Sequence, residues 1–257
     1  MSVKQLFDLT GQVALVTGGS RGLGLQMAEA LGEMGAKLAI TARKADELAE
    51  AKKHLEGLGY DVLTVTNDLQ KTDTIPALVD QVLERFGTID ILVNNAGAAW
   101  GAPYEAFPES GWDKVVDLNL KAPFFLTQAL TPLLKKAATD HLAKVIHIAS
   151  IDGISVNPWE TYSYAASKAG LIHLTKRMAL KLAPERIIVS AIAPGPFASE
   201  MNQSARDHAD EVAARTPAGR IGTPEDMAGA AIYLASRAGD YVVGSTLVVD
   251  GGVAWAR

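Results

Sequence analysis

The sequence contains no cysteine among its 257 residues. Disulfide bonds, zinc sites with thiolate ligands and iron–sulfur clusters are therefore excluded. The five histidines form no His-Glu-x-x-His pair and no other short ligand cluster, so we expect no protein-bound metal. His147 lies in an apolar segment, where a hydrogen-bonded core histidine is the expected role.

An excess of basic charge is also missing. The 24 lysines and arginines are outnumbered by 29 aspartates and glutamates, which gives a formal net charge of -5, and no basic block occurs. We therefore expect no nucleic-acid partner. No apolar run approaches membrane-spanning length, and the segment from Met1 to Gln12 lacks the apolar core of a signal peptide. The expectation is a cytoplasmic protein with no membrane partner.

Apolar segments alternate with helical stretches along the chain, and no linker interrupts them, so we expect one domain over residues 1–257. The predicted strands are Val13–Thr17, Lys37–Thr41, Val62–Thr66, Ile91–Asn94, Val145–Ala149, Ile187–Ala193 and Thr246–Asp250. This alternation predicts an α/β fold with a parallel sheet buried on both faces. Right-handed connections make it a doubly wound, Rossmann-type sheet of about seven strands, with a ligand crevice at the carboxyl ends of the strands.

A glycine-rich turn joins the first strand to a helix predicted from Leu23 to Met34. Unpaired backbone N–H groups at the start of a helix favour an anion, and glycines let a phosphate approach. The turn therefore predicts a nucleotide site, although such turns also occur as plain structural connections. The candidate cofactor residues of this turn are Gly18, Ser20, Arg21, Gly22, Leu23 and Gly24.

Arg43 follows the second strand, where a protein that binds NAD usually carries an acidic residue for the ribose hydroxyl. An arginine at this place can pair with a 2′-phosphate instead, and Arg21 could reach the same group. This pattern favours NADP(H) over NAD(H). The alternative is that both arginines are solvated surface charges.

Small and amide side chains follow the third and fourth strands. They suit the adenine edge and the packing of a flat cofactor, although Asn and Gly also simply make turns. The candidate cofactor residues here are Asp68, Leu69, Asn94, Ala96 and Gly97.

Ser150 ends the fifth strand, and the next helix carries Tyr164 and Lys168 four residues apart on one face. Such a phenol could protonate a carbonyl oxygen as the nicotinamide delivers hydride, while Ser150 hydrogen-bonds that oxygen. Lowering the phenol pKa by about three units takes roughly 4 kcal/mol, which Lys168 and a charged nicotinamide could supply together. The alternative is an ordinary helix with an exposed lysine.

These motifs resemble the short-chain dehydrogenase/reductase family, in its single-domain branch. The resemblance covers nearly the whole chain and is carried by the stretches 17–24 and 94–97, by Asn119, Ser150, Tyr164, Lys168 and Pro194-Gly195, and by the stretch 249–252. Within the family, Trp100-Gly101 and Ser110-Gly111-Trp112 are similar to 3-oxoacyl-thioester reductases of the rhamnolipid type. Gluconate-type sugar reductases are close relatives.

The resemblance implies that Asn119 holds a water that links Lys168 to solvent, and that Lys168 hydrogen-bonds the nicotinamide ribose. It also implies that Asp68 and Asn94 line the adenosine side. The cofactor residues beside the nicotinamide would be Pro194, Gly195, Phe197 and Ser199. Three positions depart from the family pattern: the interval from Ser150 to Tyr164 is one residue longer, Ser199 replaces a threonine, and Ser190 replaces an asparagine.

Aromatic and apolar side chains on loops around the crevice mouth predict an apolar substrate wall, although each could pack against a subunit or the sheet instead. The candidate substrate residues are Trp100, Ser150, Asp152, Trp159, Tyr162 and Met201, with Phe197 on the same wall. The segment Pro196 to Gly222 is expected to form a lid.

The predicted function is an NADP(H)-dependent carbonyl reductase that acts on a ketone such as a 3-oxoacyl thioester. A sugar or polyol dehydrogenase of the gluconate type and a non-catalytic cofactor-binding protein are the alternatives. Small residues on the Tyr164 helix, together with the family resemblance, lead us to expect a homotetramer or homodimer.

Overall fold

The computed structural model describes residues 2–199 and 202–256. Within them, seven parallel strands form one sheet in the order β3-β2-β1-β4-β5-β6-β7. The strands are β1 (Val13–Thr17), β2 (Lys37–Ala42), β3 (Val62–Thr66), β4 (Ile91–Asn94), β5 (Ala143–Ile148), β6 (Ile187–Pro194) and β7 (Thr246–Val249). The predicted fold class is confirmed. The clearest difference in bounds is at β5, which begins two residues before the predicted Val145 because Ala143 pairs with Ile187 of β6.

Helices cover both faces of the sheet. They are α1 (Gly22–Glu33), α2 (Ala45–Gly57), α3 (Ile75–Phe86), α4 (Glu109–Val116), α5 (Ala122–Ala137), α6 (Tyr162–Leu182), α7 (Gln203–Asp207), α8 (Ala209–Arg215) and α9 (Pro224–Ala235). A π-helical segment, Asp117–Lys121, joins α4 to α5. Within the described ranges, every helix is too short or too polar to span a bilayer.

The sheet is buried on both faces, so its strands are nearly continuous apolar runs. Every residue of β1, β4, β5 and β6 is buried. One core packs α1, α2 and α9 against the sheet, and the other packs α3, α5 and α6 against the opposite face. This layering directs the loops after the strands to one edge.

The chain reverses its direction of winding at β1, which has β2 on one side and β4 on the other. In a doubly wound sheet, the connections on the two sides of this point leave a crevice at the carboxyl ends of the strands. The turn after β1, the loop after β4 and the loop after β5 all start at this edge.

Candidate active site

The turn between β1 and α1 has the close packing that its glycines predict. A Cβ atom at Gly24 would lie 2.1 Å from the Gly18 carbonyl oxygen, so only glycine fits there. Gly22 has a φ of +54°, and a Cβ at this position would face open space, with only the Ser199 Cβ at 3.9 Å. Arg21, the N-cap of α1, makes no side-chain cap hydrogen bond to the first N–H groups of the helix. The turn therefore has the room and the free donors that a dinucleotide phosphate needs.

Thr17 and Asn95 tie this turn to the end of β4. The Asn95 and Ala96 N–H groups both donate to the Thr17 Oγ1 at 2.9 Å. The Asn95 amide donates to the carbonyl oxygens of Thr17 at 2.8 Å and Gly18 at 3.1 Å. Both residues lie in the stretches 17–24 and 94–97 that carry the family resemblance, but the hydrogen-bonded bridge between them was not predicted.

A cleft of about 390 Å³ lies beside the turn and is lined by Arg21, Gly22, Glu47, Ala198, Ser199 and Arg206. Glu47 accepts hydrogen bonds from Arg21 at 3.2 Å, from Lys44 at 2.7 Å and from the Ser20 hydroxyl at 3.4 Å. The Lys44 hydrogen bond is the main reason that the pKa of Glu47 is lowered. Arg43, which directly precedes Lys44 in the sequence, is exposed. Glu47 was not predicted, because a glutamate in the first turn of a helix ordinarily serves only the helix dipole.

Two predicted cofactor side chains are used for packing. The Asn94 side chain is buried and its amide donates to the Thr127 Oγ1 at 3.2 Å. Leu69 is 5% exposed and belongs to the core that α3 and α5 cover. The expectation that the Asn94 amide faces the adenosine is therefore corrected, and a cofactor contact at Asn94 or Leu69 would have to use the backbone. Asp68, Ala96 and Gly97 are partly exposed after their strands.

The segment after β6 contains a second correction. The Phe197 ring is 4% exposed and packs so closely against Gly222 that a Cβ there would lie 2.4 Å from it. It therefore cannot contribute to an exposed apolar wall. Gly195 lies so close to Asp250 that a Cβ at this glycine would be 2.5 Å from the Asp250 Cβ. The Ser199 hydroxyl oxygen accepts a hydrogen bond from the Asn202 N–H at 3.0 Å. Pro194 ends β6.

The side chains of Ser150, Tyr164 and Lys168 lie close together at the carboxyl end of β5. The Tyr164 hydroxyl is hydrogen-bonded to the Ser150 side chain. The Lys168 Nζ lies 5.6 Å from the centroid of the Tyr164 ring and donates to the Ile148 carbonyl oxygen at 2.7 Å. Lys168 is buried, so the alternative of an exposed lysine on an ordinary helix is wrong.

Burial dominates the acid–base properties of this cluster. It raises the pKa of Tyr164 to about 12, the Ser150 hydrogen bond lowers that pKa, and the Asp152 charge raises it. Burial lowers the pKa of Lys168 to about 8, and the Asp152 charge acts in the opposite direction. The chain by itself therefore holds Tyr164 as a protonated phenol. The lowering of the phenol pKa that Lys168 and a charged nicotinamide are expected to supply together stays a prediction.

Asn119 lies in the π-helical segment and is fully buried. Its Oδ1 accepts from the Ala98 N–H at 2.8 Å, while its Nδ2 donates to the Ala98 carbonyl oxygen at 2.9 Å and to the Ser167 hydroxyl at 3.1 Å. Because both hydrogens of the amide are used, a relay water would have to donate to the second lone pair of Oδ1 or contact the backbone of Asn119. The π-helical turn is a common device at functional sites.

The aromatic residues near the crevice divide into two groups. Trp100 packs on α4: a Cβ at Gly111 would lie 2.7 Å from its ring, and the Lys114 ammonium lies 5.1 Å from the ring centroid. Trp159 and Tyr162 are 66% and 37% exposed, and Tyr162 makes edge contacts with the rings of Tyr104 and Phe107. Met201, also predicted for the substrate wall, lies outside the described residues.

A family model described as Enoyl-(Acyl carrier protein) reductase matches residues 18–254 of the chain. The chain belongs to this family of short-chain dehydrogenases/reductases. A Rhamnolipids biosynthesis 3-oxoacyl-[acyl-carrier-protein] reductase of Pseudomonas aeruginosa is 42% identical over 96% of this chain and 97% of that protein. A 2-dehydro-3-deoxy-D-gluconate 5-dehydrogenase of Escherichia coli is 42% identical over 96% of each chain.

The solved structures agree with these relatives. The Pseudomonas aeruginosa RhlG/NADP active-site complex superimposes with a TM-score of 0.93 at 41% identity, and covers 97% of this chain and 99% of its own. The predictions of a short-chain dehydrogenase/reductase, of an oxidoreductase and of NADP(H) as the favoured cofactor are confirmed. The roles of individual residues stay predictions.

Proposed function

We propose that this short-chain dehydrogenase/reductase uses NADPH to reduce an apolar ketone, with 3-oxoacyl thioesters as the leading substrate class. The observation that carries this proposal is the cluster of Ser150, Tyr164 and Lys168 at the carboxyl end of β5, on the same sheet edge as the glycine turn. The turn, Arg21 and Arg43 would hold the cofactor, whose chemistry when bound is hydride transfer to the carbonyl carbon.

Tyr164 acts as the proton donor in this proposal. Its raised pKa keeps the hydroxyl protonated at neutral pH, and its hydrogen bond to Ser150 directs it to the side chain that would also bind the carbonyl oxygen. Lys168, anchored on the Ile148 carbonyl oxygen, supplies the positive charge that stabilises the phenolate left after proton transfer. Asn119 would complete proton return through a water on its backbone.

Exposed aromatic rings support an apolar substrate. Tyr104 and Trp159 are 71% and 66% exposed. They lie on two loops that are joined by a hydrogen bond from the Ala102 N–H to the Glu160 carbonyl oxygen. An acyl chain buries such rings more effectively than a polyol does. NADPH oxidation measured with a 3-oxoacyl thioester of increasing chain length tests this. We expect kcat/KM to rise with chain length, and a flat series would contradict the proposal.

A sugar acid is the second candidate substrate. The observation that favours it is the gluconate-type relative, which matches this chain as closely in identity as the 3-oxoacyl reductase does. Turnover of a keto-gluconate by the wild-type protein that exceeds turnover of every 3-oxoacyl thioester would establish this alternative.

The single domain, residues 1–257, would bind the dinucleotide and carry catalysis, with residues 196–222 as a lid over the crevice. Support comes from the two short helices α7 and α8, which follow Ser199 of the cleft. Limited proteolysis tests the lid. NADPH should protect this segment, and equal cleavage with and without cofactor would contradict closure.

We also propose a cytoplasmic homotetramer or homodimer. Phe124 and Phe125 are 37% and 39% exposed and border a groove of about 470 Å³ that also includes Gly170 of α6. A second copy would cover these rings, and light scattering should show the multimer, with Phe125→Glu shifting it toward monomer. Trp255 is 72% exposed near the carboxyl end, where a second copy would also cover it. Cell fractionation tests the location.

A further inference from the structure

Asp152 places a carboxylate beside the proposed reaction centre. It lies in the short 3₁₀ turn Ile151–Gly153, directly after β5, and its N–H donates to the Ser150 hydroxyl at 3.1 Å. The same hydroxyl is hydrogen-bonded to Tyr164, so the backbone of Asp152 is two hydrogen bonds from the phenol oxygen. The Asp152 charge acts on both Tyr164 and Lys168.

The turn is held against α6 by a glycine. A Cβ at Gly153 would lie 2.6 Å from the backbone carbon of Lys168, so no larger residue allows this approach. The close approach keeps Asp152 next to the helix face that carries Tyr164 and Lys168. Its position is therefore set by the fold and not by a flexible loop.

A neutral amide holds the Asp152 carboxylate. Asn157 hydrogen-bonds the carboxylate through its side chain, while its Oδ1 accepts from the Trp159 N–H at 2.8 Å, which leaves the amide nitrogen as the donor to Asp152. Within residues 2–199 and 202–256, no lysine or arginine forms an ion pair with Asp152. Burial raises the pKa of Asp152, while the Asn157 hydrogen bond and the charge of Lys168 lower it, and the Asp152 charge in turn partly offsets the burial of the Lys168 ammonium.

Further carboxylates lie on the same side of the crevice. Glu160 accepts hydrogen bonds from the Tyr162 hydroxyl at 3.2 Å and from the Tyr104 N–H at 3.1 Å, and the Glu105 charge reaches the same phenol. Lys114 lies over the Trp100 ring. Glu160 and Glu105 therefore add two carboxylates to the loops that carry Tyr104 and Tyr162.

We propose that Asp152 is a specificity-determining residue that disfavours substrates with a carboxylate next to the reacting carbonyl and so selects uncharged ketones. This inference rests on the proposed function and concerns the charge next to the reacting ketone. A free 3-oxo acid would bring a second anion to the side of the crevice that carries Asp152, whereas the reacting end of a 3-oxoacyl thioester is neutral. Like charges in a partly desolvated site repel strongly.

The test uses two small ketones that differ in one charge. Ethyl 3-oxobutanoate is neutral, and 3-oxobutanoate carries a carboxylate two bonds from the same ketone carbon. We expect the wild-type protein to prefer the ester in kcat/KM with NADPH. Asp152→Asn should reduce the ester-to-acid ratio about tenfold, mainly by improving use of the acid, because one nearby charge is removed. Asp152→Glu should keep most of the discrimination, since it keeps the charge.

Glu50→Gln is the matched control, because it removes the same charge from an exposed position on α2 and should leave the ratio unchanged. An ester-to-acid ratio that is the same in wild type and in folded Asp152→Asn overturns the inference, even if both ketones are reduced. Wild-type protein that oxidises NADPH with neither ketone nor a 3-oxoacyl thioester overturns the proposed function itself, and the inference with it.

Discussion

The ammonium of Lys168 lies over the ring of Tyr164, 5.6 Å from its centroid, and is anchored on a backbone carbonyl oxygen of β5. In this position Lys168 is buried and its charge is poorly solvated, which lowers its pKa to about 8. The protein therefore carries a cationic group whose burial destabilises the fold and whose charge serves the proposed chemistry. Replacement of Lys168 by an apolar residue should therefore raise stability while activity is lost.

Lys168→Met tests this separation. The folded pKa of Lys168 is below the unfolded value, so the penalty is fully present below pH 8 and disappears as pH rises through 10.5. At pH 7 the penalty is about 3 kcal/mol, and loss of the hydrogen bond to Ile148 offsets about half of it. We expect Lys168→Met to raise the Tm of the cofactor-free protein by about 3–6 °C while turnover is lost.

The control for this experiment is Lys176→Met, which removes an exposed lysine from the same helix. Its Tm and turnover should stay close to the wild-type values. A Lys168→Met protein that is less stable than wild type at pH 7 would show that the buried charge is stabilised by contacts beyond the Ile148 carbonyl oxygen.

Tyr164→Phe tests the proton donor. The change removes only the hydroxyl that is bonded to Ser150, so NADPH should bind with its wild-type Kd while kcat falls about 10²- to 10⁴-fold. Tyr162→Phe removes an equivalent hydroxyl two residues earlier, where it bonds Glu160 at an exposed position, and should keep most of the activity. Full activity in Tyr164→Phe would rule out the proposed role.

We expect Glu47 to compete with the 2′-phosphate of NADPH for Arg21 and Ser20. Both side chains donate hydrogen bonds to the Glu47 carboxylate. Arg21 also lines the cleft beside the glycine turn, and Ser20 lies in that turn. Glu47→Gln weakens the ion pair, so NADPH should bind about two- to fivefold more tightly while NADH binding changes little.

Arg43→Asp should weaken the binding of NADPH but not that of NADH. Titration calorimetry with both cofactors measures these changes, and equal effects on NADH and NADPH would contradict a 2′-phosphate site here.

The fold and the catalytic cluster could be predicted because each depends on local patterns. Apolar runs separated by helical stretches require a parallel sheet, and a serine after β5 with Tyr164 and Lys168 on one helix face requires only the 3.6-residue period. The contacts that were missed are long-range. The bonds from Glu47 to Arg21 and from Asn95 to the β1 turn join segments distant in sequence, and the burial of Phe197 depends on Gly222. No local pattern specifies such contacts.

His147 fits the core role that its apolar strand predicts, and its protonation should set part of the acid sensitivity of the fold. The histidine is fully buried and its Nδ1 lies 2.9 Å from the Thr175 hydroxyl oxygen. The Thr175 hydroxyl donates to the Leu171 carbonyl oxygen, so the Nδ1 carries the proton and the Nε2 is an acceptor with no partner among the described residues. Burial, together with the charge of Lys168, lowers the pKa of His147 to about 3.

A folded pKa below the unfolded value of 6.5 means that the unfolded chain binds the extra proton as pH falls. The stability contributed by neutral His147 is therefore present above pH 6.5 and is lost as pH falls toward 3, by about 2 kcal/mol between pH 7.5 and pH 5. His147→Leu removes this titration and leaves the Thr175 proton satisfied by Leu171. Urea unfolding of both proteins at pH 7.5 and pH 5 should show a smaller pH-dependent loss in the variant, by about that amount. Equal losses would mean that Lys168 or bound water keeps the imidazole from acting as an isolated buried base.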